Sequence, residues 1–268
     1  MIEFTYVGQH FAFADVDSDV HIGSIMKCTK TFYEADVLEQ LRDRLGFEAA
    51  KGVAIDVGAY VGTHSVYFAR VCRFAEVIAY EPDPDTFEVL RRNVQLNGID
   101  NKTRCVNKAA GGKSGKCTLS RPYQVNGGSS RVSYESENGV AEVEVIRLDD
   151  ELGNQDKKIV RLIKIDAEGF EVEVARGALQ LIGGHHPLLC IETHSTSHLV
   201  QLLWMLRKHK YVIVDCLGAS PTYIFEATTT RRLARRLAAN ALWVLRSIIP
   251  DRFSPLRWYS YRIAKAIV

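Results

Sequence analysis

The stretch VAIDVGAYVGTHSVYFA (Val53 to Ala69), followed by VIAYEPD (Val77 to Asp83), constrains this chain more than any other part of it. An apolar run closes on Asp56, turns through Gly58 and Gly62 and opens into a helix; a second apolar run closes on Glu81. Strand, glycine turn, helix, strand and acid make one βαβ unit of a parallel sheet. Such sheets bind ligands in the crevice beyond the carboxyl ends of their strands. A carboxylate at the end of the second strand can accept hydrogen bonds from both hydroxyls of a ribose, so the unit reads as a nucleoside pocket. Glycine at a strand-to-helix turn also serves plain close packing, and the ordered set of Asp56, Gly58, Gly62 and Glu81 is therefore more informative than any one glycine.

The glycine spacing narrows the ligand. A dinucleotide turn, G-x-G-x-x-G, needs its second glycine so that the backbone can approach a pyrophosphate, whereas Tyr60 stands at that position here. A nucleoside without phosphates fits better, and S-adenosylmethionine is the common one. Asp56 would then sit near its amino group, the Gly58 to Gly62 turn under its methionine moiety and Glu81 on its ribose. Neighbouring strand ends add Tyr60, Pro82, Asn107, Ala109 and Asp166 to the expected cofactor-contacting set.

From Val53 to about Phe225 the chain resembles the FkbM-type family of S-adenosylmethionine-dependent methyltransferases. The resemblance is carried, in the family's order, by IDVGAYVGTHSVYFA, YEPDPDTFEVLRRNVQLN (Tyr80 to Asn97), IRLDDEL (Ile146 to Leu152), LIKIDAEGFEVEVARGA (Leu162 to Ala178) and LLCIETH (Leu188 to His194). It implies a Rossmann-like class I methyltransferase fold and methyl transfer to a hydroxyl oxygen, usually on a sugar, glycan or another natural product. It does not imply which acceptor.

Around this segment the chain punctuates itself. Apolar runs at Ile2 to Val7 and Phe11 to Ala14 predict a hairpin or edge strands, and Thr31 with Glu34 is a capping-box pair opening a helix through about Leu45. That helix could cover the cofactor cleft or simply pack. Strands are expected at Val53 to Val57, Glu76 to Tyr80 and Thr103 to Asn107, with Asp83 as N-cap and Pro84 at the first position of the helix between the last two. Between Gly111 and Glu144 the glycine- and serine-rich GGKSGK and NGGSSR punctuate short polar strands, either an acceptor-binding or lid element or a solvated β excursion. Alternation resumes with strand Val160 to Ile165, helix Glu171 to Leu181, strand Leu188 to Ile191, helix His198 to Lys208 and two closing runs, Tyr211 to Val214 and Thr222 to Phe225. The expected fold is therefore α/β, a mostly parallel doubly wound sheet with an antiparallel closing strand. Residues 1–50 flank it, 51–230 form the methyltransferase domain and 231–268 a tail.

At 268 residues and 47% hydrophobic the chain can bury the core of one sizeable domain. The N-terminus lacks a basic region followed by an apolar core, and no apolar run is long enough to span a bilayer, so a cytoplasmic location is expected. Six cysteines without a C-x-x-C pair read as buried free thiols, not as a zinc site or disulfide framework. The charge is asymmetric: from Arg231 onward nine bases face Asp251 alone, a net +8, leaving −6 on the remainder. Leu233, Leu237, Ala241, Val244 or Leu245, and Ile248 recur at helical spacing in that tail. A basic amphipathic helix lying in the headgroup region with Trp243 near its edge, or a helix packed on the domain or on a second subunit, would show this pattern alike.

Acids and bases gather at two later strand ends. Lys164, Asp166, Glu168 and Gly169 in KIDAEG, and Glu192 with His194 in IETH, would face the transferable methyl group. Methyl transfer to oxygen needs that oxygen held in line and a base for its proton. His194 is the favoured base, since an imidazole accepts protons near neutrality, and Asp166, Glu168 and Glu192 are the other candidates. His194 could instead cap the next helix, the carboxylates could hold their own loop, or the set could bind Mg²⁺, although no ligand spacing demands a metal. His64 reads as a first-turn helix residue and His185-His186 as a polar turn. A small-molecule or glycan acceptor is expected. The basic tail motivates an RNA-methyltransferase reading, against which stands the acidic core, and a non-catalytic nucleoside-binding module docked through the tail is a third.

Overall fold

The computed structural model describes residues 1–14, 21–121, 130–134, 139–152, 159–218, 220–228, 240–244 and 246–248. The N-terminal runs pair as an antiparallel hairpin, β1 (Ile2–Tyr6) with β2 (Gln9–Phe13), followed by α1 (Ile22–Thr29) and α2 (Ala35–Leu45). The hairpin is pinned to α4 (Pro84–Leu96) by two asparagines: Asn93 exchanges hydrogen bonds with the backbone of Ala14, and Asn97 with that of Ala12. The capping box fails. Glu34 is the N-cap of α2 in the left-handed region (φ 52°), its side chain makes no capping bond, and the carboxylate turns inward instead.

The βαβ unit forms as its residues require: β3 (Val53–Val57), α3 (Thr63–Arg70), β4 (Glu76–Tyr80), α4 and β5 (Thr103–Val106). Asp83 caps α4 by accepting from the backbone N–H groups of Asp85 and Thr86, with Pro84 in the first turn where a missing donor costs nothing. The insert is a separate four-stranded sheet ordered β6-β9-β7-β8, built from β6 (Ala109–Ala110), β7 (Gly115–Ser120), β8 (Arg131–Ser133) and β9 (Ala141–Ile146). After α5 (Leu148–Leu152) come β10 (Val160–Ile165), α6 (Glu171–Arg176), α7 (Leu179–His185), β11 (Leu188–Glu192), α8 (Thr196–Leu206), β12 (Tyr211–Leu217) and β13 (Thr222–Ala227).

The main sheet runs β12-β13-β11-β10-β3-β4-β5, with β13 antiparallel to both neighbours and the pairs from β11 to β5 parallel. Alternate residues point to opposite faces. Ala54, Val77, Leu162 and Cys190 meet the hairpin and α1 to α4, while Ile55, Ile78, Ile163 and Leu189 meet α6, α7 and α8.

Further sequence expectations change. The helix expected over Glu171 to Leu181 breaks at Gly177-Ala178, where Gly177 lies so close to the Gly111 backbone that a Cβ would come within 2.0 Å of its carbonyl oxygen. Asp149, from the IRLDDEL segment, then caps α7 by accepting from the N–H groups of Gln180 and Leu181. Within the tail, residues 240–244 and 246–248 are helical and pack back on the domain. Trp243 is 0% exposed in the core beneath α8 and β12, not at a membrane edge, and Asn240 accepts from the Ile213 N–H. Arg231, Leu233, Leu237 and the residues after Ile248 lie outside the described set. No described helix is long and apolar enough to cross a membrane. Cys72, Cys117, Cys190 and Cys216 are buried, whereas Cys28 is exposed.

Candidate functional site

Strand order reverses between the parallel neighbours β3 and β10, and the connections leaving them to opposite sides open a crevice beyond their carboxyl ends. Gly58 makes the reversal tight. Its φ is +73°, its N–H and that of Ala59 both donate to the Tyr80 carbonyl, and a Cβ there would lie 1.7 Å from the Asp166 carbonyl oxygen. Above it opens a cleft of about 240 Å³. One wall is Gly58, Tyr60, Glu81 and Pro82; the insert contributes Ala109, Ala110, Ser130 and Val132; the far end holds Asp166, Glu168, Glu192 and His194. His21, Ile22 and Tyr33 close it from the N-terminal side.

Glu81 is buried at the floor, one oxygen accepting from the Tyr60 N–H and the other from the Asp83 N–H, each at 2.9 Å. A carboxylate oxygen has two acceptor positions, so each keeps one for a ligand hydroxyl. Burial pushes the Glu81 carboxyl up to about 7, against the two backbone donors, which pull it down. Asn107 does not line the cleft; its side-chain amide donates to the Glu81 and Pro82 carbonyls and holds that loop. Gly62 also lies outside the lining, as the N-cap of α3 packed against Leu90.

At the far end His194 is exposed (69% of its side chain), with Nε2 3.1 Å from Glu192 Oε1. Helix α8 is capped by Ser195, not by His194. Glu192 is held up at about 7, first by burial and then by Asp166, while Lys164, Ser220 and His194 oppose the rise. Glu168 adopts φ +50°, and Tyr60 across the cleft φ +51°, conformations that non-glycine residues take at a cost of about 1–3 kcal/mol and that cluster at functional sites. Beyond His194 the cleft runs into a polar groove with Arg131, Glu171, Ser195 and His198. Among the described residues no group of three or more His, Cys, Asp or Glu side chains could hold a metal ion.

Asp56 stands behind the cleft, not in its wall. It is fully buried, accepts from the Ser65 hydroxyl at 2.6 Å and lies 3.6 Å from the Lys164 ammonium. Lys164, expected to face the transferable methyl group, lies instead outside the cleft lining: buried, it donates to the Gly58 carbonyl at 3.1 Å and to Asp166 at 3.2 Å. Burial alone would lower its pKa, but Asp166, Asp56, Glu34 and Glu192 raise it above the ordinary lysine value. A lysine in the largely apolar run VRLIKI was the one sequence signal; its partner Asp56 is fixed only by the pairing of β10 with β3. Glu34 and His64, which approach the same ammonium from α2 and α3, had no such signal.

Burial pushes Glu34 up to about 8 and His64 down to about 4 from 6.5. Raised carboxyls bind more protons in the folded than the unfolded state, so stability falls as pH rises toward their folded pKa values; a depressed histidine acts oppositely, and only below 6.5. Between pH 6.5 and about 8 the carboxyls Glu34, Glu81 and Glu192 act alone. Urea midpoints are therefore expected to fall across that window, and a rising midpoint would contradict the buried proton assignments.

Residues 56–213 match the family model of the methyltransferase FkbM domain. Methyltransferase sdnD of Sordaria araneosa is 29% identical over 152 residues, covering 46% of this chain and 59% of that protein. Methyltransferase 1 of Beauveria bassiana is 27% identical over 142 residues, covering 46% and 57%. The hexuronic acid methyltransferase AglP of Haloferax volcanii is 28% identical over 144 residues, covering 52% and 55%. The chain thus spans a little over half the length of the curated relatives it matches. A crystal structure of methyltransferase FkbM from Methylobacillus flagellatus superposes with a TM-score of 0.49 at 21% identity, over 66% of this chain and 44% of that one. Because the family model spans more than half of its residues, from the Asp56 strand through β12, this chain belongs to the methyltransferase FkbM domain family.

Proposed function

We propose that the protein is an S-adenosylmethionine-dependent methyltransferase that methylates a hydroxyl oxygen of a sugar, glycan or related small molecule. The observation that carries this reading is one cleft with a buried ribose-type acid, Glu81, at one end and a carboxylate-histidine set, Asp166, Glu168, Glu192 and His194, at the other. Glu81 would hold the ribose, Ala109 and Pro82 would flank the base, and the Gly58 turn would lie under the methionine tail, with Asp56 fixing that turn through Lys164. When bound, the cofactor supplies an electrophilic methyl carbon. The likeness to a hexuronic acid methyltransferase supports a carbohydrate acceptor, and the acidic far end disfavours a phosphate backbone.

The protein's own task is then to place a hydroxyl and remove its proton. His194 accepts that proton while Glu192 orients the ring and stabilises its charged form, an arrangement in which base and orienting acid act as a unit. His194→Ala should lower turnover by roughly a hundredfold or more and leave donor affinity nearly unchanged. Turnover equal to wild type would move the base role to Asp166 or Glu168. Since Glu192 must ionise to hold a charged imidazole, turnover should climb with pH through about 7.

Glu81→Ala should weaken donor binding by about 1.5–3 kcal/mol, the worth of hydrogen bonds to a charged acceptor. Calorimetric titration with S-adenosylmethionine checks it, and an unchanged dissociation constant would reject the ribose assignment. The function itself is tested by incubating the protein with isotopically labelled donor and a panel of hexoses, uronic acids and oligosaccharides. Label transfer to a hydroxyl is expected; donor binding without transfer to any hydroxylated acceptor would favour the binding-module alternative.

A further inference from the structure

Behind the cleft, under α2 and α3, lies a small inner cavity lined by Glu34, His64, Lys164, Glu192 and Thr222. Glu192 lines both this cavity and the cleft, so the two share one wall. Glu34 comes from outside the residues that match the family model. Its side chain is only 8% exposed, its backbone takes the left-handed conformation, and Oε1 has no hydrogen-bond partner. Oε2 stands 3.7 Å from His64 Nε2, which also makes no hydrogen bond; the buried Asp56 Oδ1 makes none either and has only the Lys164 ammonium, 3.6 Å away. A carboxyl group placed in the left-handed region, buried and left short of partners is maintained against several unfavourable terms.

The groups that act on Glu34 come from the elements around it: Asp36 on α2, His64 on α3, Lys164 on β10, Asp166 just after it, and Glu192 on β11; Asp56 on β3 acts on Lys164. One cation, Lys164, therefore faces four carboxyl groups, Asp56, Asp166, Glu34 and Glu192. Burial, Glu192 and Asp166 all oppose ionisation of Glu34, and only Lys164 favours it. A second positive charge in the adjoining cleft would shift that balance. The proposed donor carries such a charge on sulfur; its demethylated product is the same molecule without the methyl group and without that charge.

We propose that Glu34 is a specificity residue that senses the charge on the bound sulfur and makes the site favour the methyl donor over its neutral-sulfur product. The inference rests on the donor reading of the cleft. Donor binding makes ionisation of Glu34 easier and releases protons; by reciprocity, ionised Glu34 tightens donor binding. Loss of the sulfur charge on methyl transfer removes that support, the carboxyl takes its proton back and the product is held less tightly.

The test compares S-adenosylmethionine with S-adenosylhomocysteine, whose shared amino, carboxyl and ribose groups cancel. Titration calorimetry at pH 7.5 in buffers of different ionisation heat counts protons released. More are expected with the donor, and the ratio of product to donor dissociation constants should grow between pH 6.5 and 9 by up to about tenfold, the equivalent of one pKa unit. Glu34→Gln should flatten that growth and reduce the proton count. Infrared difference spectra of the wild-type protein give a second measurement should the variant not fold: a protonated-carboxyl band lost on adding donor and kept on adding product. Equal proton release and a pH-independent ratio would overturn the inference, as would unequal release that persists unchanged in Glu34→Gln. Failure of both ligands to bind would instead overturn the donor reading.

Discussion

Lys164→Met should destabilise the folded protein by about 3–5 kcal/mol, the range for removing one partner of a buried ion pair. The ammonium is nine-tenths buried and stands among Asp56, Asp166, Glu34 and Glu192, so its loss leaves Asp56 charged with only the Ser65 hydroxyl as donor. Methionine keeps the shape and removes the charge, which separates electrostatics from packing. Because the Lys164 pKa is raised, its charge persists beyond 10.5, and the deficit should grow from pH 6 to 8 as its neighbours Glu34 and Glu192 ionise. Arginine should not restore stability, since its planar fork cannot reproduce contacts to Gly58, Asp166 and Asp56 made from one point. Urea unfolding of the three proteins decides the matter. A Met variant with the wild-type midpoint would show that the cation is not what holds these carboxylates together.

Gly58→Ala should be similarly damaging for a different reason. Left-handed backbone costs an alanine about 1–2 kcal/mol, but the larger effect is that its Cβ would sit 1.7 Å from the Asp166 carbonyl oxygen. That oxygen belongs to backbone in the middle of the sheet, so β3 and β10 would have to part at the crevice. A total above about 4 kcal/mol is expected, the range reserved for strain or overpacking of a core element. Gly98 is the control: its φ is +63° and a Cβ there meets nothing within 4 Å, so Gly98→Ala carries the backbone cost alone. Thermal melts of the two variants should differ widely, with donor binding lost only in Gly58→Ala. Coincident melting curves would refute the close-approach argument.

The order of strands and helices was legible because its causes are local. Period-two and period-3.6 patterns, the Asp83-Pro84 cap and the glycine turns act within a few residues. So was the pairing of Glu81 with the Gly58 turn, since one βαβ unit brings those ends together. Where local signals had two readings, packing chose: Thr31 and Glu34 resemble a capping box, yet the Glu34 side chain is drawn toward His64 and Lys164. A basic amphipathic tail suits lipid or protein equally; packing buries Trp243 in the core, while Ala241 and Ile248 of the expected stripe stay exposed.

By itself, then, the sequence determined a doubly wound sheet with a glutamate, Glu81, closing its second core strand and a cluster of acids and bases at neighbouring strand ends. Only the tertiary structure decided that Asp56 stands behind the cleft, that Lys164 binds both sides of the crevice, and that Glu34 reaches it from the N-terminal segment. These contacts join residues more than a hundred positions apart, Lys164 with Gly58 and with Asp56. They exist because β10 lies beside β3 in the sheet, a choice made by burying apolar strand faces and not by any pattern within either strand.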